Sequence, residues 1–324
     1  MTAEKTPLII LGTEVWPGDT KEVNLDVANL HTASPVNVPV IISRSKKQGP
    51  VVLFTAGIHG DEVNGIEIVR QLIAKGINQP KRGTIICMPV INIFGFINLK
   101  REFPDGRDLN RVFPGSTNGS LASRVAHKLI QDVVSHADLI IDFHTGGSAR
   151  FNAPQLRYTK AQNNLDTLAE IFGAPFVVYS TNLAKSFRAV AAKLGKDLLL
   201  FEGGKSFHID DTVTNSGVNG SKRVLKHLGM LKTIFKSSKP KKKCVFVEES
   251  KWQRAKYSGM FKAAVAVGSE IKKDDIIGNI TDPYGKFNYF VRAKNSGYVI
   301  NVNESPIVYQ GDALFHISTK IKSY

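Results

Sequence analysis

The chain has 324 residues, and its 43 Lys and Arg residues outnumber its 28 Asp and Glu residues to give a formal net charge of +15, which favours an anionic partner. Hydrophobic residues make up 42% and charged residues 22%, as in ordinary globular proteins, so composition excludes a disordered or low-complexity chain. The two cysteines, Cys87 and Cys244, form no Cys-x-x-Cys pair, which excludes a cysteine-rich zinc module and a disulfide framework.

Strand and helix signals alternate through the first two thirds of the chain. Alternating apolar residues predict two strands within residues 20–45, joined at the turn Ala33-Ser34-Pro35. Continuous apolar runs predict buried strands at residues 50–55, 84–90, 138–143, 176–179 and 197–202. Helical signals lie at residues 62–74, 120–134, 161–172, 184–194 and 217–234. This order predicts an α/β fold with a mixed sheet, helices on both faces and a site at the carboxyl ends of strands.

The pattern changes after residue 236. Residues 237–243 are cationic and contain a proline, which is typical of a linker. Residues 244–324 consist of short strands separated by glycines, and Ser258-Gly259-Met260 and Ser296-Gly297-Tyr298 open two similar stretches. We therefore predict a first domain at 1–236 and a small C-terminal all-β barrel or sandwich at 244–324.

The residues at the amino terminus do not show the pattern expected of an export signal. After Met1–Lys5 the apolar run Leu8–Leu11 is too short for a signal peptide, and no stretch approaches the ~20 apolar residues that span a bilayer. The sequence predicts a soluble cytoplasmic protein that does not enter a membrane.

The strongest chemical signal lies where a buried strand ends and a helix begins, at His59 and Glu62. A three-residue offset across such a turn lets an imidazole and a carboxylate converge, and zinc accepts both. His144 ends another strand and would supply a third ligand, with Asp142 as an outer acceptor that orients it. Two alternatives are histidines of polar loops and a nucleotide-binding turn at Gly57–Gly65, although the latter lacks the Gly-x-Gly-x-x-Gly spacing.

Glu202 is a candidate general base. It ends the apolar run Leu198–Phe201 and precedes two glycines, and a hydrolytic zinc site needs a base beside the water that attacks. We predict that Glu202 takes a proton from water and returns it to the leaving amine. The alternative is a solvated carboxylate at a strand end.

Four further residues are candidates for binding an anionic substrate. Asn110 and Arg111 lie in a loop rich in donors, and a guanidinium matches a carboxylate in bidentate fashion. Arg111 or Arg107 could also stabilise the developing oxyanion. Arg107 has an alternative as an internal ion pair with Asp105 or Asp108. Arg188 is a weaker candidate for a second carboxylate.

Four motifs occur in a fixed order: His59–Glu62, Asp108–Gly115, Asp142–His144 and Phe201–Gly204. Together they resemble the succinylglutamate desuccinylase/aspartoacylase family, relatives of zinc carboxypeptidases. The resemblance implies a zinc-carboxypeptidase-like α/β fold, one Zn²⁺ per chain on the first and third motifs, a glutamate base and hydrolysis of an N-acyl amino acid. The C-terminal region also resembles a biotinyl/lipoyl-type barrel, although Lys286 lacks the neighbours of a modified carrier lysine.

Three functions are compatible with these residues to different degrees. The favoured one is a zinc-dependent deacylase that cleaves the amide of a small N-acylated amino acid with metal-activated water and Glu202 as the base. A metallocarboxypeptidase acting on peptide C-termini is the alternative. A non-catalytic anion- or nucleic-acid-binding protein ranks lower, because the dense cationic run Lys236–Lys243 contains no aromatic residue. We therefore expect the protein to bind a small carboxylate-bearing substrate and no nucleic acid. The sequence leaves open whether the chain forms a homo-oligomer.

Overall fold

The structure of the protein is a computed structural model that describes residues 6–240 and 242–322. The predicted domain bounds and linker include Met1–Lys5, Lys241, Ser323 and Tyr324, which lie outside the described residues. Within the described ranges, no helix is both long and apolar enough to cross a membrane.

The secondary structure begins with two short strands and ends with a long one. The strands are β1 (Leu8–Ile10), β2 (Thr13–Val15), β3 (Thr20–Asn29), β4 (Pro35–Arg44), β5 (Val51–Ala56), β6 (Thr84–Met88), β7 (Leu139–Gly146), β8 (Arg150–Tyr158), β9 (Phe176–Tyr179), β10 (Asp197–Lys205), β11 (Val245–Arg254), β12 (Gly259–Ala263), β13 (Glu270–Ile271), β14 (Ile276–Thr281), β15 (Asn288–Arg292), β16 (Gly297–Asn303), β17 (Ile307–Val308) and β18 (Ala313–Ile321). The helices are α1 (Val63–Ala74), α2 (Ile93–Asn98), α3 (Leu121–Asp132), α4 (Asp166–Phe172), α5 (Phe187–Lys193) and α6 (Asp211–His227), with 3₁₀ turns at Leu109–Arg111, Val134–His136 and Lys160–Leu165.

Twelve strands form one mixed sheet in the order β13-β16-β18-β11-β9-β8-β10-β7-β5-β6-β4-β3. The central strands β5, β7 and β10 are parallel neighbours, so their carboxyl ends share one edge of the sheet. Strand β8 runs antiparallel to β10, which brings its amino end to the same edge. The central part of the sheet therefore directs four strand ends towards one place.

Helices cover both faces of this sheet. Burial alternates along the strands because successive side chains point to opposite faces. In β7, Ile140 packs with α3 and α5 on one face, whereas Ile141 and Phe143 pack with α1, α4 and α6 on the other. The predicted mixed α/β fold with helices on both faces is confirmed.

The C-terminal region is rich in strands, and its two similar stretches fold alike. Gly259 and Gly297 begin β12 and β16 with φ of +156° and +153°, and a Cβ at either would collide with a carbonyl oxygen of a neighbouring strand. The turns opposite them match as well, because Asp312 and Asp275 each accept a hydrogen bond from the backbone N–H three residues earlier.

The main sheet continues across the predicted domain boundary. Strand β11 pairs in parallel with β9, and β16 pairs in antiparallel with β8. A second sheet, β15-β14-β12-β17, completes the C-terminal region. The division into two domains and the likenesses to a zinc carboxypeptidase and a biotinyl/lipoyl-type barrel stay predictions.

One predicted helix has different limits. We expected a helix at residues 217–234, and α6 instead runs from Asp211 to His227. The Asp210 side chain accepts a hydrogen bond from the backbone N–H of Val213, which fixes the start. Gly229, with φ of +68°, follows the end of the helix.

Candidate metal centre and active site

The turn between β5 and α1 carries His59 and Glu62 into the sheet edge. Gly57 adopts φ of +62°, which lets the chain leave the strand sharply. Gly60 lies so close to α2 that a Cβ there would overlap the Gly95 carbonyl group. These two glycines therefore let the turn pass beneath α2 and bury both polar side chains.

Strand β7 supplies His144 from the neighbouring strand end. Asp142 and His144 are two residues apart, so their side chains share a face of the sheet. Across the strands, Asp142 lies opposite Thr55 in β5, and the Thr55 hydroxyl donates to its carboxylate at 2.7 Å. In β10, Glu202 lies opposite His144.

His59, Glu62 and His144 converge into a buried cluster whose candidate ligand atoms all lie within 4.8 Å of one another. The Glu62 carboxylate lies 2.7 Å from His59 Nδ1 and 2.9 Å from His144 Nδ1. It also accepts hydrogen bonds from the backbone N–H of Thr145 and from Arg101. One carboxylate therefore faces the Nδ1 atoms of both imidazoles.

The far nitrogen of each imidazole faces a second carboxylate. His59 Nε2 lies 3.0 Å from Asp108, and His144 Nε2 lies 2.9 Å from Asp142. Such outer acceptors fix the tautomer and orientation of histidines that bind a metal through the other nitrogen. Asp142 thus lies where the sequence predicted, whereas Asp108 was predicted only as part of a substrate-binding loop.

Charge pairing dominates the electrostatics of the cluster. Burial opposes protonation of His59, but Glu62 and Asp108 outweigh it and raise its pKa. Burial acts in the same way on His144, whose pKa Asp142 and Glu62 raise well above the ordinary value. Burial would raise the pKa of Glu62, yet the two imidazoles hold it well below its usual range.

The donor set of the cluster fits zinc. Two imidazole nitrogens and one carboxylate oxygen are the ligands of hydrolytic zinc sites, which keep a further position open. All three residues are at least partly oriented by hydrogen bonds to other groups, as a metal site requires. The cluster also lines a cavity of about 710 Å³, so a substrate could reach it.

Glu202 lines the same cavity. Its Oε2 atom accepts a hydrogen bond from Asn152 Nδ2 at 2.9 Å and lies 3.5 Å from Arg157 Nε. Among the described residues no hydrogen bond to Oε1 is found. One oxygen of the carboxylate thus accepts a hydrogen bond and lies beside the Arg157 cation, and the other is left available.

The cavity brings together three of the four predicted substrate-binding residues: Asn110, Arg111 and Arg188. Asn110 Oδ1 accepts a hydrogen bond from the backbone N–H of Phe187 at 2.8 Å, which joins the loop to the first turn of α5. Arg107 does not line this cavity, because its guanidinium extends to the surface and lies 3.5 Å from Asp105.

Arg188 is a buried cation. It donates to the Ser180 hydroxyl and to the Thr181 carbonyl, and forms no ion pair with any carboxylate in the part of the chain that the structure describes. Burial, together with the nearby Arg157, lowers the pKa of Arg188 to about 10. A buried cation without a carboxylate is costly unless a ligand supplies one.

Several lining residues were not predicted from the sequence. Arg101 follows α2 and bridges Glu62 and Asp108, at 3.1 and 3.0 Å. Strand β8, which was not predicted, contributes Asn152 and Arg157. Other lining residues include Arg150 at the start of β8, and Trp252 and Asn301 from the C-terminal region. The sequence signal for Arg101 was weak, because arginines in loops are usually surface charges.

The C-terminal wall of the cavity is supported by a stacked pair of rings. Trp252 and His316 have centroids 4.5 Å apart and planes 5° apart. His316 is buried, and burial together with Arg157 lowers its pKa to about 3. The imidazole is therefore neutral in the folded protein over the ordinary pH range.

We expect the neutral His316 to make the fold sensitive to acid. In the unfolded chain the His316 imidazole binds a proton below its ordinary pKa of 6.5. In the folded protein it binds a proton only below about pH 3. The free energy of unfolding should fall across this window, by up to ~1.4 kcal/mol per pH unit. His316→Phe keeps a stacked ring. Urea denaturation should show that its free energy of unfolding falls less steeply with decreasing pH than that of the native protein. Equal slopes of unfolding free energy against pH in the two proteins would contradict a neutral His316. His227→Phe, on the exposed face of α6, serves as the control.

The fold and the site define an α/β protein with a buried His-Glu-His cluster at the carboxyl edge of its sheet. The family model described as Succinylglutamate desuccinylase/Aspartoacylase catalytic domain matches residues 48–228. The chain therefore belongs to the succinylglutamate desuccinylase/aspartoacylase family, and the resemblance predicted from the four motifs is confirmed. Its family members are deacylases, which supports an enzyme of the hydrolase class.

Individual relatives agree with this assignment. The chain is 25% identical to N-alpha-acetyl-L-2,4-diaminobutyric acid deacetylase from Halomonas elongata, over 93% of this chain and 91% of the relative. A succinylglutamate desuccinylase/aspartoacylase structure from Rhodobacter sphaeroides matches with a TM-score of 0.80 and 24% identity, covering 94% and 96% of the two chains. The ectoine utilization protein EutE (DoeB) from Ruegeria pomeroyi also matches with a TM-score of 0.80, at 22% identity over 98% and 100%. These structures share the fold.

Proposed function

We propose that the protein is a zinc-dependent deacylase that hydrolyses the amide bond of a small N-acylated amino acid. The observation that carries the proposal is the convergence of His59, Glu62 and His144 in one cavity with Glu202. A relative that deacetylates an N-acyl diamino acid supports the reaction class. Zinc held by the three residues would supply a Lewis acid for the water and for the scissile carbonyl.

Glu202 is the proton carrier in this proposal. Asn152 donates to its Oε2 atom and Arg157 lies 3.5 Å from the same atom, which leaves Oε1 to accept the proton of the attacking water. The same carboxyl group then gives that proton to the nitrogen of the leaving amine. The carboxylate therefore begins and ends the reaction in its ionised form.

Asn110, Arg111 and Arg188 bind the amino-acid part of the substrate. The Asn110 oxygen is already used by the backbone N–H of Phe187, so its Nδ2 is the group left to donate. Arg111 offers a planar fork that suits an α-carboxylate. Arg188, buried and without a carboxylate partner among the described residues, suits a second anionic group.

The charges in the cavity favour an acidic substrate over a basic one. Five arginines line it: Arg101, Arg111, Arg150, Arg157 and Arg188. Its carboxylates are Asp61, Glu62 and Glu202; Ser206 donates to Asp61, and the other two have the roles described above. Diaminobutyric acid carries a second amine, for which this cavity is poorly suited. We therefore place the substrate among N-acyl amino acids with an acidic side chain.

Loss of the buried Arg188 cation should remove the enzyme's preference for substrates that carry a second anionic group. We expect Arg188→Gln to lower kcat/KM by about 10- to 100-fold for an N-acetylated acidic amino acid, because a charge-assisted hydrogen bond is lost. An N-acetylated neutral amino acid of similar size should be affected much less. Steady-state kinetics on both substrates measure the difference.

Two other arginine variants make the comparison specific. Arg70→Gln removes an exposed guanidinium that pairs with Glu67 on α1 and should leave both substrates unaffected. Arg107→Gln should behave like Arg70→Gln, because Arg107 is absent from the lining of the cavity. An equal loss on both substrates in Arg188→Gln would contradict a role in selecting the side chain.

A metallocarboxypeptidase is the second candidate, since it also needs zinc, a base and a carboxylate-binding arginine. Trp252 and Asn301 from the C-terminal region line the cavity together with the catalytic residues, which favours small substrates over peptide chains. The deciding experiment combines zinc analysis of the purified protein with a panel of N-acyl amino acids and C-terminal peptides. Protein that binds no zinc at about one ion per chain, or that cleaves only peptides, would overturn the deacylase proposal.

A further inference from the structure

A row of polar and aromatic side chains crosses the sheet from the C-terminal region to the metal cluster. We call it the polar row; in spatial order it consists of Trp252, His316, Asn301, Asn152, Glu202 and His144. The pairing register sets this order. Trp252 in β11 lies opposite His316 in β18, and His316 lies opposite Asn301 in β16. Asn301 in turn lies opposite Asn152 in β8. At the other end, Glu202 lies opposite His144.

Hydrogen bonds in the middle of the polar row have one direction. Asn301 Nδ2 donates to Asn152 Oδ1 at 2.7 Å, and Asn152 Nδ2 donates to Glu202 Oε2 at 2.9 Å. A side-chain amide has one accepting end and one donating end. Because Asn301 occupies the accepting end of Asn152, the donating end must face Glu202.

Burial makes these contacts hard to replace. Asn301 and Asn152 are 2% and 4% exposed, so water cannot easily take over a lost hydrogen bond. Asn301 Oδ1 is also buried and accepts no hydrogen bond from the described residues. An amide kept in such a place at the cost of an unsatisfied oxygen needs an explanation, and its donated bond to Asn152 provides one.

We propose that Asn301, in the C-terminal region, is a positioning residue for the reaction and acts through Asn152 on Glu202. The inference rests on the proposed function, because it takes Glu202 as the base. With its Oε2 atom held by the Asn152 amide, Glu202 keeps Oε1 available for the proton of the attacking water. Without that amide, the Arg157 cation, which lies 3.5 Å from Oε2, draws the Glu202 carboxylate towards itself.

The test uses the full chain loaded with zinc. Asn301→Leu is expected to lower kcat about tenfold, as loss of an outer hydrogen bond typically does. KM should change by less than about twofold, since the hydrogen bond that is lost joins Asn301 to Asn152 and not to the substrate. The matched control is Asn288→Leu, which makes the same replacement at an exposed position of β15. Asn152→Leu should reproduce the effect, and the double variant should be no worse than Asn152→Leu alone.

Asn301→Asp provides a second variant that nearly preserves shape if Asn301→Leu fails to fold. Asn301→Asp removes the amide that donates to Asn152. The acidic limb of the pH profile of kcat/KM should therefore move to higher pH, and a crystal structure should show Glu202 displaced from Asn152. Native kcat, an unchanged pH profile and an unmoved Glu202 in this variant would overturn the proposal. The proposed function fails separately, if the native protein hydrolyses no N-acyl amino acid or Glu202→Gln keeps full activity. The position of Glu202 in the crystal tests the positioning role even then.

Discussion

Glu202→Gln is expected to keep its bound zinc and to lose about 10²- to 10⁴-fold in kcat, the usual contribution of a positioned general base. Glutamine preserves the size of the side chain but cannot accept a proton from water. The zinc ligands His59, Glu62 and His144 are untouched, so metal content should stay at about one ion per chain. Initial rates with an N-acyl amino acid, together with elemental analysis of the same samples, measure both quantities.

A matched replacement separates this loss from a general effect of removing a charge. Glu248→Gln lies on β11, where its carboxylate pairs with Lys160 and Lys320 at the surface, and should retain native kcat. Circular dichroism should show native secondary structure in both variants. Activity in Glu202→Gln close to that of the native protein would exclude Glu202 as the base.

The second large effect concerns the metal itself. His144→Ala leaves two of the three candidate ligands, too few for a hydrolytic zinc site, so zinc should be lost during dialysis. Activity should fall by about 10³-fold or more, because a Lewis acid contributes several kcal/mol to stabilising the transition state. Zinc content after dialysis and residual kcat/KM are the measurements.

The removal of zinc by a chelator should reproduce this result in the native protein. Activity should return when zinc is added back to the native protein and should not return in His144→Ala. His227→Ala is the control, because this histidine lies on the exposed side of α6. Retention of about one zinc per chain by His144→Ala would show that the metal is held elsewhere.

The sequence was sufficient for the centre of the site because the topology is simple there. His59, His144 and Glu202 each follow an apolar run, and parallel strands bring such ends to one edge. Strand periodicity also places Asp142 and His144 on the same face. No long-range information was needed to expect these side chains to meet.

The periphery of the site could not be predicted in the same way. Strand β8 carries Pro154, and its polar residues Arg150, Asn152 and Arg157 line the cavity, so neither composition nor alternation indicated a strand. Arg101 and Arg107 lie in one irregular segment, and only the folded loop determines that Arg101 turns inward and Arg107 outward. The contribution of Asn301 depends on the pairing of β16 with β8, across about 150 residues of chain, which no local pattern encodes.

The continuation of the sheet across residue 236 also bears on how such proteins can diverge. Strand β9 has β11 as its outer neighbour, so a chain lacking the C-terminal region would expose an unpaired edge, a template for aggregation. Exchange of this region between relatives would bring a new residue opposite Asn152 as well as a new wall for the cavity. Recombination at the linker would therefore alter turnover and selectivity together, and a chimaera would need compensating changes on β8 to recover either property alone.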